Sequence, residues 1–114
     1  MLPEPNRLKK KKDFDRLFKE GKSFKGIFLY IKINGNAQRE SRFGFVVGKN
    51  VSKLASRRNT LKRRMREAVR ARIPEVKKGI DCVIVAGPKG AGKESQDIRG
   101  QIDNLFKRAG MIQY

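Results

Sequence analysis

Between Lys49 and Arg72 the sequence carries ten basic side chains (Lys49, Lys53, Arg57, Arg58, Lys62, Arg63, Arg64, Arg66, Arg70 and Arg72) against one acid, Glu67. The chemistry such a run supports is electrostatic: it neutralises the regularly spaced charge of a polyanion. Leu54, Leu61, Met65, Ala68 and Val69 recur within it at helical spacing. That spacing predicts a long amphipathic helix from near Ser52 to Ile73. Pro74 ends it, because the residue before a proline is pushed out of the helical region. At about 100° per residue the apolar set takes one side, and Asn59, Lys62, Arg63, Arg66 and Arg70 form a row on the far side. A solvated helix face normally mixes signs to gain i,i+4 pairs. A face this one-sided repels itself, which favours a nucleic-acid surface over a merely solvated one.

Other chemistry is thinly supplied. The chain has no histidine, which removes the commonest general base and metal ligand. Asp13 and Asp15 are the closest carboxylates and diverge on a helix, so they do not make a metal-nuclease pair. The lone thiol, Cys82, lies in an apolar run and reads as a buried structural residue. Gly87-Pro88-Lys89-Gly90-Ala91-Gly92-Lys93 matches the glycine and lysine positions of a phosphate-binding loop. That motif next needs Ser or Thr to ligate magnesium. Glu94 stands there instead, and Ser95 comes one place late. A carboxylate beside phosphates opposes binding, so a basic loop that touches RNA is favoured over a nucleotide hydrolase. No protein-borne catalytic site and no firmly bound cofactor or metal is expected.

Composition sets the frame. The chain has 114 residues, a formal charge of +18 and 38% hydrophobic residues. This suits one folded domain over residues 1–114 with a modest core. The basic balance points to a nucleic acid ahead of an anionic membrane surface. No stretch approaches a membrane span and the first residues are no signal peptide, so a cytoplasmic location without membrane contact is expected.

The elements follow in order. Residues 1–6 read as a flexible, proline-containing lead-in. After a basic run, Phe14, Leu17 and Phe18 form the stripe of a short helix, with Asp13 as its N-cap and Gly21 as its stop. Such a stripe is commonly core, although an aromatic face can also border a nucleic-acid groove. Phe24 to Asn34 reads as a strand region: Ile27, Leu29, Ile31 and Ile33 on one face, Phe28, Tyr30 and Lys32 on the other. The second face fits either single-stranded nucleic acid or a covered surface with a snorkelling lysine. Asn34-Gly35 is a turn signal. Arg42 to Lys49 is another strand, with Arg42, Gly44, Val46 and Gly48 on its less bulky face. Ile80 to Ala86 is a central strand. Gln96 to Ala109 forms a last helix, buried through Ile98, Ile102, Leu105 and Phe106 and stopped by Gly110. The fold class is α+β, a two-layer α/β sandwich in the order α-β-β-β-α-β-α.

These residues resemble the protein subunit of bacterial ribonuclease P over nearly the whole length. The resemblance runs through Arg7-Leu8, Lys10, Asp13-Phe14, Phe18 and Gly21, then Arg42-Phe43-Gly44 and Lys49, and closes with Asp81 and its strand. Its most specific part is Lys53 to Glu67, where Arg58-Asn59, Lys62-Arg63 and Arg66-Glu67 stand in register with the family signature. Thr60 departs where a second arginine is expected, and an arginine expected after the last strand is missing because Gly87 follows Ala86.

The resemblance implies a left-handed βαβ crossover through the signature helix. It also implies two RNA partners, the catalytic ribonuclease P RNA and precursor tRNA, with no protein partner required. Chemistry then belongs to the RNA and to the Mg2+ its reaction requires, and the protein assists removal of the 5′ leader. The signature helix would dock on the catalytic RNA through Arg58, Asn59, Lys62, Arg63 and Arg66, joined by Arg57 and Arg70 of the same helix. A cleft between the first helix and the sheet would hold the single-stranded leader through Lys10, Phe14, Phe18, Arg42 and Lys53. Tyr30 is added to that set by strand alternation. A general RNA-binding module is the alternative reading, and a nucleotide-binding loop protein a remote one.

Overall fold

The apolar run Ile80–Ala86 needs cover on both faces and on both edges, and the fold is built around supplying it. A computed structural model describes residues 2–112; Met1, Gln113 and Tyr114 lie outside the described residues. The elements are α1 (Lys11–Glu20), β1 (Lys22–Lys25), β2 (Leu29–Gly35), β3 (Arg42–Val47), α2 (Ala55–Arg72), β4 (Ile80–Ala86) and α3 (Ser95–Arg108). The sheet order is β1-β2-β4-β3. Strand β4 therefore lies between β2, to which it is antiparallel, and β3, to which it is parallel. Parallel neighbours need a crossover, and α2 is that connection.

Side chains alternate across the sheet and divide it into two unequal faces. Leu29, Ile31, Phe43, Cys82, Ile84 and Ala86 point to the larger core. There α2 contributes Leu61, Met65, Ala68 and Val69, and α3 contributes Ile98, Ile102, Leu105 and Phe106. The rings of Phe43 and Phe106 stack across this layer at 6.1 Å. Together these make the expected α/β sandwich. Val83 and Val85 point to the other face, where α1 lies over a smaller cluster of Leu8, Leu17, Phe14, Phe18 and Val46.

Several local expectations change. The region from Phe24 to Asn34 is two strands and a turn, because β1 folds back on β2 at Gly26-Ile27-Phe28. Ile27 sits at that tip, 81% exposed, while Phe28 turns into the larger core. The Gln101 Oε1 of α3 accepts the backbone N–H groups of Phe28 and Leu29, both at 2.8 Å, and so fixes the turn. Leu54 is also outside the core: it precedes α2 and is largely exposed. Lys10, not Asp13, occupies the N-cap of α1. Gly21 ends α1 with ordinary negative φ. Its glycine is required by contact, since a Cβ there would lie 2.4 Å from the Leu17 carbonyl oxygen.

Within the lead-in, Leu2 and Asn6 are buried while Pro3, Glu4 and Pro5 are exposed. Leu2 is buried in the larger core. Asn6 Nδ2 donates to the Ser41 carbonyl at 2.7 Å, and the Leu8 N–H donates to the Phe43 carbonyl at 2.9 Å. The segment thereby covers one end of the free edge of β3, which would otherwise present unpaired backbone groups. Among the described residues no helix is long and apolar enough to cross a membrane.

Candidate nucleic-acid interface

Helix α2 is held by its buried stripe and presents its cations away from it. Asn59, Arg63 and Arg70 are exposed, and Lys62 and Arg66 are partly buried beside the β3 edge. Arg57 is exposed on the flank that faces the loop from Gly87 to Glu94. Arg58 is differently engaged. One of its terminal nitrogens donates to the carbonyls of Ser52 and Lys53, each at 3.0 Å, and so fastens the segment that leads into the helix. The first turn of α2 carries no acid and no side-chain cap. The electrostatics of that end favour an anion.

The second surface is the sheet face under α1. Strand register sets three rows across it: Asn34–Asp81–Arg42, Lys32–Val83–Gly44 and Tyr30–Val85–Val46. Helix α1 covers the first two. The Phe14 ring lies on Gly44 so closely that a Cβ there would fall 2.4 Å from it. Leu17 is buried. Lys32 Nζ donates to the Phe18 carbonyl at 2.6 Å and sits 5.9 Å from the centre of the Phe18 ring. The third row is not covered: Tyr30, Val85 and Val46 are all partly exposed, with Phe14 and Phe18 beside them. An aromatic and aliphatic floor with aromatic walls is a surface on which bases can stack. Exposed Lys10 precedes α1, and exposed Lys53 precedes α2. Phe28, expected on this face, is on the other side, since the turn at Gly26 resets the alternation.

Arg42 does not stand in this face as a free cation. Its Nε and one terminal nitrogen donate to the two carboxylate oxygens of Asp81 at 2.8 and 2.7 Å. Its other terminal nitrogen reaches Asp13 of α1 at 3.4 Å. The hydrogen bond to Asp81 raises the Arg42 pKa against the opposing effect of burial. Three N–H groups of the residue expected as a leader contact are thus already engaged by carboxylates.

A groove of about 560 Å³ joins the two surfaces around the β3 edge; Leu2, Lys9, Phe14, Gly44, Lys62 and Arg66 are among its walls. Sequence reasoning missed Leu2 and Lys9 here, because only the packing of the first residues brings them to the edge. The glycine-rich loop lies elsewhere, on the far flank of α2. Arg64 donates to the Lys93 carbonyl at 2.7 Å, and Lys93 Nζ sits 5.4 Å from the centre of the Phe28 ring. That lysine is turned onto an aromatic face and does not cap an anion hollow, which argues against the nucleotide-loop reading. Thr60 points to the same flank and donates its hydroxyl back to the Ser56 carbonyl at 3.0 Å.

Comparison with known proteins identifies the family. A family model described as Ribonuclease P matches residues 2–110. The ribonuclease P protein component of a Synechocystis strain is 36% identical over 114 residues, covering 99% of this chain and 92% of that protein. Its counterpart from Clostridium acetobutylicum is 37% identical over 111 residues, covering 96% and 92%. The solved RNase P protein from Thermotoga maritima superposes with a TM-score of 0.81 at 34% identity, covering 90% of this chain and 96% of that one. The RNase P protein from Staphylococcus aureus superposes at 0.86 with 24% identity, covering 95% and 98%, a likeness of fold.

Proposed function

The chain belongs to the ribonuclease P protein family, as a subunit of an endoribonuclease of tRNA 5′ processing, and from that premise we propose how its two surfaces divide the work. The cation row of α2 grips the catalytic RNA through Arg57, Asn59, Lys62, Arg63, Arg66 and Arg70, with Arg58 ordering the start of that helix. The open row of the sheet, Tyr30 with Phe14 and Phe18 beside it, takes the single-stranded 5′ leader of precursor tRNA, and Lys10 and Lys53 meet its phosphates. One observation carries this reading: the groove around the β3 edge is lined by α2 cations and by Phe14 together. Two RNA strands on these surfaces would be neighbours, and the cations between them would screen their mutual repulsion.

The reaction of this family is RNA-catalysed and needs Mg2+, which supplies Lewis-acid and nucleophile-generating chemistry when bound. The protein carboxylates nearest the leader face do not suit it as a resident ion. Asp13 and Asp81 are held by Arg42, and Asp15 pairs with Lys11 at 2.9 Å. The protein's part is therefore binding and screening in a cytoplasmic ribonucleoprotein.

The test is binding by the assembled ribonucleoprotein. Phe14→Ala and Phe18→Ala should each weaken binding of leader-bearing precursor tRNA by about 5- to 150-fold, the range of one lost base–aromatic stack, and leave mature tRNA nearly unchanged. Equal losses for both tRNA forms would remove the leader from this face.

A further inference from the structure

We propose that Arg42 is a positioning residue for the leader face: it ties α1 to the sheet through Asp13 and Asp81 and does not touch RNA. This rests on the assignment of the leader to that face. Helix α1 has ten residues, too few to be stable alone, and it reaches the sheet through the smaller hydrophobic cluster. Its placement therefore depends on polar ties at defined points. Asp13 and Phe14 are consecutive on α1; Arg42 and Gly44 are consecutive same-face positions on β3. The Arg42–Asp13 pair and the Phe14–Gly44 contact are neighbouring rungs of one seam. Fixing Asp13 fixes the ring beside it, which borders the open row.

The anchor on the sheet side is rigid. Arg42 and Asp81 are paired across β3 and β4, so the fork-to-carboxylate contact lies along a strand rung. Asp81 Oδ1 also accepts Asn36 Nδ2 at 2.9 Å, and Asn36 Nδ2 donates to the Glu40 carbonyl at 3.0 Å. The side chains of Arg42 and Asp81 are 18% and 12% exposed. Arg42 with its two carboxylates sums to one net negative charge. Arg16, at the mouth of this cluster, is paired with Glu20. A phosphate would meet a guanidinium with three of its N–H groups already given to carboxylates and an unfavourable local charge.

The experiment compares leader-bearing and mature tRNA binding by the ribonucleoprotein for Asp13→Asn, Arg42→Lys, Arg42→Met and the pair Asp13→Asn/Arg42→Met. Thermal melts and hydrogen exchange of the α1 amides are followed for each protein. Asp13→Asn removes a negative charge from an RNA-binding face, so on charge alone it should tighten binding. Positioning predicts the opposite: about a 5-fold loss of leader-dependent affinity, the net worth of one ordinary hydrogen bond, with faster exchange in α1. Arg42→Met should match it with no change in salt slope, the pair should lose no more than either, and Arg42→Lys should not rescue. A phosphate contact predicts a slope shallower by about 0.7 for Arg42→Met, rescue by lysine and a neutral or tighter Asp13→Asn; that pattern would overturn the proposal. Should Arg42→Met not fold, Asp13→Asn and Arg42→Lys decide it. If Phe14→Ala leaves the leader preference intact, the leader face itself is wrong and this role falls with it.

Discussion

At Gly44 a single missing carbon sets the shape of the sheet face proposed to take the leader. A Cβ there would overlap the Phe14 ring at 2.4 Å, so Gly44→Ala must push the ring off the sheet. Overpacking of this kind costs about 1–3 kcal/mol, read as a lower denaturant midpoint, and it should reduce leader-dependent binding along with stability. Adding Phe14→Leu should restore most of the stability and none of the leader preference, which separates the two effects. Cys82 is a residue of another kind. It is fully buried beside Asp81, and burial above all pushes its thiol well above the ordinary range. Native protein should resist alkylation that the unfolded chain accepts. The sign for stability follows from linkage: with the folded pKa raised, the folded state holds its proton at a pH where the unfolded state has lost it. The contribution is fully present below the unfolded thiol pKa of about 8.5 and is lost as pH rises above it. Thermal melts from pH 7 to 10 should fall more steeply for the native protein than for Cys82→Ala. Parallel curves would show that the thiol is not the group responsible.

At the scale of elements, α2 divides into a half that packs and a half that is offered. On the proposed reading Lys62, Arg63 and Arg66 bind RNA without belonging to the buried stripe, so alanine at each should lower affinity for the ribonuclease P RNA while the melting temperature holds or rises. If each neutralises one phosphate of a duplex region, the slope of log affinity against log salt should become shallower by about 0.9 per residue. Unchanged slopes in all three would move the RNA elsewhere. This helix was legible in the sequence because its apolar spacing and its one-signed far face are both local patterns. So were α3 and the central position of β4, from periodicity and a continuous apolar run. The turn at Gly26-Ile27-Phe28 was not. It is held by Gln101 from α3, a contact 73 residues away along the chain, and alternation read through Gly26 put Phe28 on the wrong face. The same limit applied to Arg42. Its type and strand position suggested a cation for RNA, whereas its guanidinium pairs with Asp13 and Asp81, which only the folded sheet and α1 bring to it. Leu54 had the right spacing but stands just before the helix begins, where spacing no longer assigns a side.

On the scale of the whole molecule, the same charge that is proposed to bind RNA opposes the fold. A formal +18 is confined to a body of 36 × 32 × 24 Å. At 0.1 M ionic strength the screening length is about 10 Å, so cations on one face of α2 repel one another and the basic N-terminal run near them. The unfolded chain spreads this charge and relieves it. Raising NaCl should therefore raise the melting temperature of the free protein while it weakens the complex with RNA, two opposite responses from one cause. The variant Lys62→Gln/Arg63→Gln/Arg66→Gln isolates the cause. At low salt it should melt above the native protein, because three mutually repelling cations on one helix are gone while glutamine keeps much of the partly buried stems of Lys62 and Arg66. The gap should close as salt screens what remains in the native chain. A melting temperature indifferent to NaCl, or a variant less stable than the native protein at low salt, would mean that these side chains contribute packing that outweighs their repulsion. The sequence row would then be part of the scaffold, and its surplus charge would have to be explained from structure and not from RNA.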